Sequence, residues 1–235
     1  MVFSPVSEDQ LATIDTLRDN HYKQLRFTYF QDQHTLIVKV GMPGGVHGQA
    51  TEDFSYMLRK KTIPMNLARE LKNMGSTRYQ AITSSNEADS AFRPSSSRPT
   101  IAHWPTVVIE CGVSEGLNQL KMDACWWLNS SSGDVNIVLI IAIKQANKVI
   151  HIEKWEMVTV PNEQDIQGSA NDFRKTPAHT GEVDILWPIA ATGSLTLEFE
   201  KVFLRLPVPD TSEGDIIFSV ADLEEWATDI WSALP

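Results

Sequence analysis

The run Val135–Lys144 (VNIVLIIAIK) is apolar throughout except for Asn136 and the closing lysine. A strand with one face in water would alternate polar and apolar residues, so this run reads as a strand buried on both faces. It is too short to span a bilayer. Burial on both faces requires packed layers on each side, and this places the chain in the mixed α/β class.

The residues before the run extend the argument. Thr106–Glu110 (TVVIE) is a β-branched strand candidate, and Ser114–Asn129 has helical periodicity with Ser114 as its candidate cap. Ser130–Asp134 reads as a turn, so the segment forms a strand–helix–strand unit. After Asn147–Lys148, a second turn, Val149–Val160 reads as another strand.

Toward the N-terminus, Ser7 with Gln10 three residues on marks a helix start. Gln24–Phe30 and Thr35–Val40 predict a hairpin, with the turn at residues 31–34. The loop Gly41–Gly45 lacks the Gly-Lys-Ser/Thr of a phosphate-binding loop. Helices are expected over Thr51–Lys60 and Pro64–Met74, a short strand over Arg78–Ile82 and a loop over Arg93–Pro99. Farther on, Asn162–Thr180 reads as a polar loop and Ser194–Leu206 as a strand. Ser219 is placed to cap a last helix, Ala221–Trp231. The whole is expected to be one domain over 1–235. Its core covers about 50–160, with an N-terminal helix and hairpin (7–40) and a C-terminal extension (161–235).

Apolar residues make up 42% of the 235, with seven Trp and nine Phe, enough for a sizeable core. The net charge of −10 argues against a generally basic nucleic-acid-binding surface, so any phosphate contact must be a local basic patch. Cys111 and Cys125 stand in apolar segments, as reduced core thiols do. The absence of CxxC or HxH spacing excludes an ordinary structural zinc site. The first residues resemble no signal peptide, and the expected setting is soluble and intracellular, with nucleus and cytosol equally open.

Two charges sit where burial is expected. Glu110 continues the strand face of Thr106 and Val108, a costly place for an unpaired carboxylate. Lys121 falls inside the apolar helical stripe of Leu117, Leu120, Ala124, Trp127 and Leu128, with Asp123 at its edge. Lys121 either meets Glu110 across the strand–helix turn or extends its ammonium to water over a packed stem. Trp126 falls on the opposite helix face.

The stretches Ala88–Phe92, Trp104–Glu115 and Leu117–Leu128 resemble a group of uncharacterised fungal proteins. More loosely, residues of about 85–145 are similar to the Uma2-like branch of the PD-(D/E)xK restriction-endonuclease-like superfamily. The resemblance implies an αβββαβ core in which Asp, Glu and Lys surround Mg²⁺ or Mn²⁺. Asp89 would be the first acid and Glu110 the second. The lysine usual two residues after the second acid is Gly112 here, and Lys121 on the following helix is the candidate replacement.

Two functions follow from this reading. One is a Mg²⁺-dependent nuclease. In it Asp89 and Glu110 bind metal with the Cys111 carbonyl, Lys121 orients water, and Arg93, Arg98, His103 and Ser114 contact DNA or RNA. The other is a catalytically degenerate module on the same core that binds a protein partner, a second copy of itself, or nucleic acid. No membrane contact is expected. No nucleophile elbow, dinucleotide fingerprint or kinase motif supports a small-molecule enzyme.

Overall fold

The computed structural model describes residues 1–22, 25–40, 45–113, 116–161 and 173–233. The chain opens with β1 (Val2–Phe3) and α1 (Glu8–His21), whose start carries the expected capping box between Ser7 and Gln10. A hairpin follows, β2 (Leu25–Phe30) and β3 (Thr35–Val40), then α2 (Val46–Lys61). Short strands β4 (Leu71–Asn73), β5 (Arg78–Gln80), β6 (Ser84–Glu87) and β7 (Ser90–Pro94) lead to β8 (Val107–Val113). Next come α3 (Leu117–Ser130), β9 (Ile137–Lys144), β10 (Val149–Pro161) and β11 (Phe173–Leu186). The chain closes with β12 (Ala190–Ala191), β13 (Leu195–Leu197), α4 (Phe199–Phe203), β14 (Ile216–Phe218) and α5 (Val220–Ser232).

Two sheets organise most of these elements, and β13 and β14 pair separately as a two-stranded antiparallel sheet. The smaller of the two main sheets is antiparallel in the order β1-β3-β2-β6-β5. The larger is mixed, in the order β12-β11-β10-β9-β8-β7-β4, and its single parallel pair is β8 with β9. That pair is joined through α3, because parallel neighbours need a crossover connection. β9 is the doubly covered strand that its composition predicts, and its residues from Ile137 to Ile143 are all buried.

Strand alternation divides the interior into two layers. Val107, Ile109 and Cys111 point to the layer filled by α2 and α5, with Phe54, Phe92 and Trp226. Val108 points to the opposite layer, where α3 supplies Leu120, Ala124, Trp127 and Leu128. Glu110 shares the α3 side with Val108, as the period of two requires.

Several elements differ from the sequence reading. Pro64–Met74 is not a helix: the segment turns and then pairs Leu71–Asn73 with Phe92–Pro94 in the sheet. The same pairing draws Arg93 and Pro94 into β7 instead of a loop. β8 runs three residues past Glu110, so Glu110 lies inside the strand. Phe173–Thr180 belongs to β11, which pairs along β10, although its residues look polar and turn-rich. Ser194–Leu206 splits into β13 and α4, whose Phe199, Val202 and Phe203 all enter the core. α3 begins after Gly116, and the proposed cap Ser114 lies outside the described residues. No helix among the described residues is long and apolar enough to cross a membrane.

Candidate active site

Asp89 sits in the two-residue link between β6 and β7, where the chain passes from the small sheet to the large one. Extending the register beyond Ser90 and Ile109 brings Asp89 level with Glu110. Its Oδ2 accepts the Cys111 N–H at 2.8 Å. His47, in the first turn of α2, places Nε2 3.3 Å from the same oxygen and 3.0 Å from the Cys111 carbonyl. Asp89, His47 and the Cys111 backbone thus form one tight knot where β7 begins beside β8.

Glu110 is 3% exposed. Its Oε1 accepts the Trp127 indole N–H at 2.6 Å, so α3 holds the carboxylate from above. Burial pushes its pKa well above the usual carboxylate range. Lys39 opposes that shift, and the negative charges of Asp89 and Asp123 reinforce it. Asp123, also buried, forms an ion pair with Lys39 and accepts the Gln119 amide at 3.4 Å. Its pKa is raised by burial and held back by Lys39.

Three acids therefore act on one another in a largely buried volume, with Lys39 as the cation in their midst. Such a cluster is costly unless more positive charge reaches it. The Cys111 carbonyl and Asp89 Oδ2 both lie within reach of His47 Nε2, and the negative charge of Asp89 acts on the buried Glu110. By donor chemistry, carboxylates and a backbone carbonyl are hard oxygen ligands of the kind that Mg²⁺ and Mn²⁺ take.

The other sequence candidates lie elsewhere. Lys121 pairs with Glu153 on β10 at 2.9 Å and lies 5.9 Å from the Trp155 ring centroid, so its ion pair is not the one with Glu110 that helical spacing suggested. The cause is its position on α3, over β10, a strand whose neighbourhood the local sequence does not reveal. Arg98 is turned inward: it donates to the carbonyls of Trp104 and Pro105 and to Asp134, and so holds its own loop. His103 is exposed and bonds to Thr100 within that loop. Arg93 is buried on β7. Ser114 lies outside the described residues.

Lys39, His47 and the hydrogen-bonding role of Trp127 were missed from sequence. Lys39 had a signal, a lone charge in the apolar strand LIVKV. His47 had none, since a histidine after a glycine-rich loop is ordinary.

No family model and no curated protein matches the sequence. Among solved structures the chain is similar to a DUF820 protein from Anabaena variabilis ATCC 29413. That protein is described as a candidate nuclease. The similarity covers 86% of this chain and 90% of the other, at 14% identity and a TM-score of 0.46.

Among the described residues, the group of His and acidic side chains with metal-ligand spacing lies on the β10–β11 pair, where ligand atoms of His151, Glu153 and Glu182 are all within 4.8 Å of one another. Its charges already answer each other. His151 bridges Asp184 at 2.7 Å and Glu153 at 3.0 Å, and Glu153 also takes Lys121 and the Trp155 N–H. That balance distinguishes it from the acid-rich group around Glu110.

Proposed function

We propose that this chain is a divalent-metal-dependent phosphodiesterase acting on DNA or RNA. The observation that carries the reading is the buried Glu110, facing Asp89 and Asp123 with Lys39 among them. Topology adds support. β4, β7 and β8 are antiparallel neighbours, with β5 and β6 running through the small sheet between β4 and β7, and α3 then leads to β9 parallel to β8. Asp89, just before β7, and Glu110 on β8 would stand at the same level.

In this reading Asp89, Glu110 and the Cys111 carbonyl hold Mg²⁺ or Mn²⁺. The bound ion supplies Lewis-acid charge stabilisation and a more acidic water. Trp127 fixes Glu110, and His47 with the Cys111 N–H fixes Asp89, so neither carboxylate must reorganise. Lys39 takes the place the sequence reading gave to Lys121: its ammonium, anchored by Asp123, stabilises negative charge on the phosphate as water adds to phosphorus and the ester P–O bond breaks. The attacking water gives up a proton to solvent, and the leaving oxygen departs with a proton from solvent.

The catalytically silent alternative keeps one specific support, the engagement of Lys121 with Glu153. Nuclease assays with Mg²⁺ or Mn²⁺ decide between the two. Wild type should cut, and Asp89→Asn and Glu110→Gln should not. Equal activity in all three proteins, or none in any of them, overturns the proposal.

A further inference from the structure

A half-buried aromatic cluster begins one ring away from Glu110. Trp127, which bonds Glu110, meets Trp126 edge-on at 4.9 Å between centroids, and Trp104 lies 6.0 Å from each. Tyr79 stacks against Trp104 at 5.4 Å. Trp127 is sealed in the core, whereas Trp104 and Trp126 are only partly buried. The Trp126 N–H is held by Ser84 Oγ at 3.0 Å, which locks that ring in place. The cluster forms where α3, the small sheet and the loop before β8 meet.

Positive charge lies beside these rings. Arg93 and Arg98 both pull down the Tyr79 pKa, although burial carries it to about 12. Arg98 is neutralised by Asp134 at 3.0 Å, but Arg93 is different. It is 5% exposed, and its Nε and Nη1 have no partner among the described residues. Lys72 sits directly across the β4–β7 ladder and, by strand pairing, on the same face, where it is exposed. A guanidinium kept this deep without a carboxylate lowers stability, and a net charge of −10 makes such a local basic spot more conspicuous.

We infer that Trp104 and Trp126 form a stacking platform for an unpaired base of a single-stranded nucleic acid, with Arg93 and Lys72 holding a neighbouring phosphate. The inference rests on the phosphodiesterase reading for its placement beside the cleavage site. Arg93 lies four residues along the strand from Asp89, about 13 Å in extended chain, a separation of a few nucleotides. An indole face accepts any base, but only one freed from its pair, so the substrate class is single strands, flaps or loops instead of continuous duplex. Electrostatic tracking by Lys72 and Arg93 then makes binding salt-dependent.

The test separates binding from cutting. The full chain is titrated in EDTA with an oligo(dT), an oligo(rU) of equal length and a blunt hairpin duplex, with intrinsic tryptophan fluorescence as readout. Saturable quenching is expected for the single strands, with at least about 10-fold weaker binding of the duplex. Trp104→Ala and Arg93→Met should each weaken single-strand binding about 10-fold, while Trp104→Tyr, which keeps a stacking ring, should restore most of it. Thermal melting confirms that each variant is folded. Duplex binding as tight as single-strand binding, or unchanged affinity in folded Trp104→Ala, overturns the platform. Binding without any cleavage by wild type leaves the platform standing and removes the catalytic reading instead. The relative affinity for oligo(dT) and oligo(rU) tells DNA from RNA.

Discussion

Glu87→Gln should destabilise the protein and displace Asp89 together. Glu87 is 3% exposed and ends β6, two residues before Asp89. Its carboxylate pairs with Arg18 of α1 and with Arg78 of β5, the latter at 2.7 Å, and accepts the Phe27 N–H at 3.3 Å. The two guanidiniums lie 5.0 and 5.6 Å from the Phe27 ring centroid. Removing one partner of a buried ion pair costs about 3–5 kcal/mol. Here the arginine side chains are 16% and 24% exposed, so water recovers part of the loss, and the amide keeps one acceptor for Phe27. The expected loss is about 2–3 kcal/mol. For a chain of this size that corresponds to a fall in Tm of about 5–10 °C by calorimetry or circular dichroism. Activity should fall as well, because the link carrying Asp89 is anchored through Glu87. A Tm within about 2 °C of wild type, on the scale of a surface change, would refute the clamp.

Lys39→Met should abolish cleavage while Mn²⁺ binding persists, whereas Lys121→Met should retain activity within a few-fold; the opposite ranking in a kinetic assay would return the lysine role to Lys121. Burial lowers the His151 pKa, but its hydrogen bonds to Glu153 and Asp184, with their negative charge, outweigh it and raise the net value. Its stabilising contribution is therefore complete below the unfolded pKa of about 6.5 and is lost as pH rises through the higher folded value. Melting temperatures measured across that window should fall less in His151→Gln than in wild type. Ser219→Ala should cost about 1 kcal/mol in urea unfolding, because Ser219 and Asp222 form the capping box that starts α5.

Much of the central unit was legible because its signals are local and strong. The capped helices at Ser7 and Ser219, the β2–β3 hairpin, the doubly buried β9 and the placement of Glu110 toward α3 all follow from caps and periods of two or 3.6. Failures occurred where distant pairing overrides local preference. Leu71–Asn73 became a strand because β7 lies alongside it, and Phe173–Thr180 because β10 does. The candidate site divides in the same way. Asp89 and Glu110 stand close in sequence and could be read together. Lys39 and His47 come from a hairpin and a helix far upstream, and only tertiary packing brings Lys39 to Asp123 and His47 to Asp89. Lys121 shows the converse: its place in an apolar stripe demanded a partner, and the partner is Glu153 on a strand with no sequence link to α3.

The central claim is that Asp89 and Glu110 hold a divalent cation, and calorimetric titration of Mn²⁺ tests it most directly. Wild type should bind saturably, Asp89→Asn and Glu110→Gln should lose that binding, and Glu153→Gln should keep it. Binding that survives in Asp89→Asn and Glu110→Gln but disappears in Glu153→Gln would place the metal at the His151 group and contradict the account.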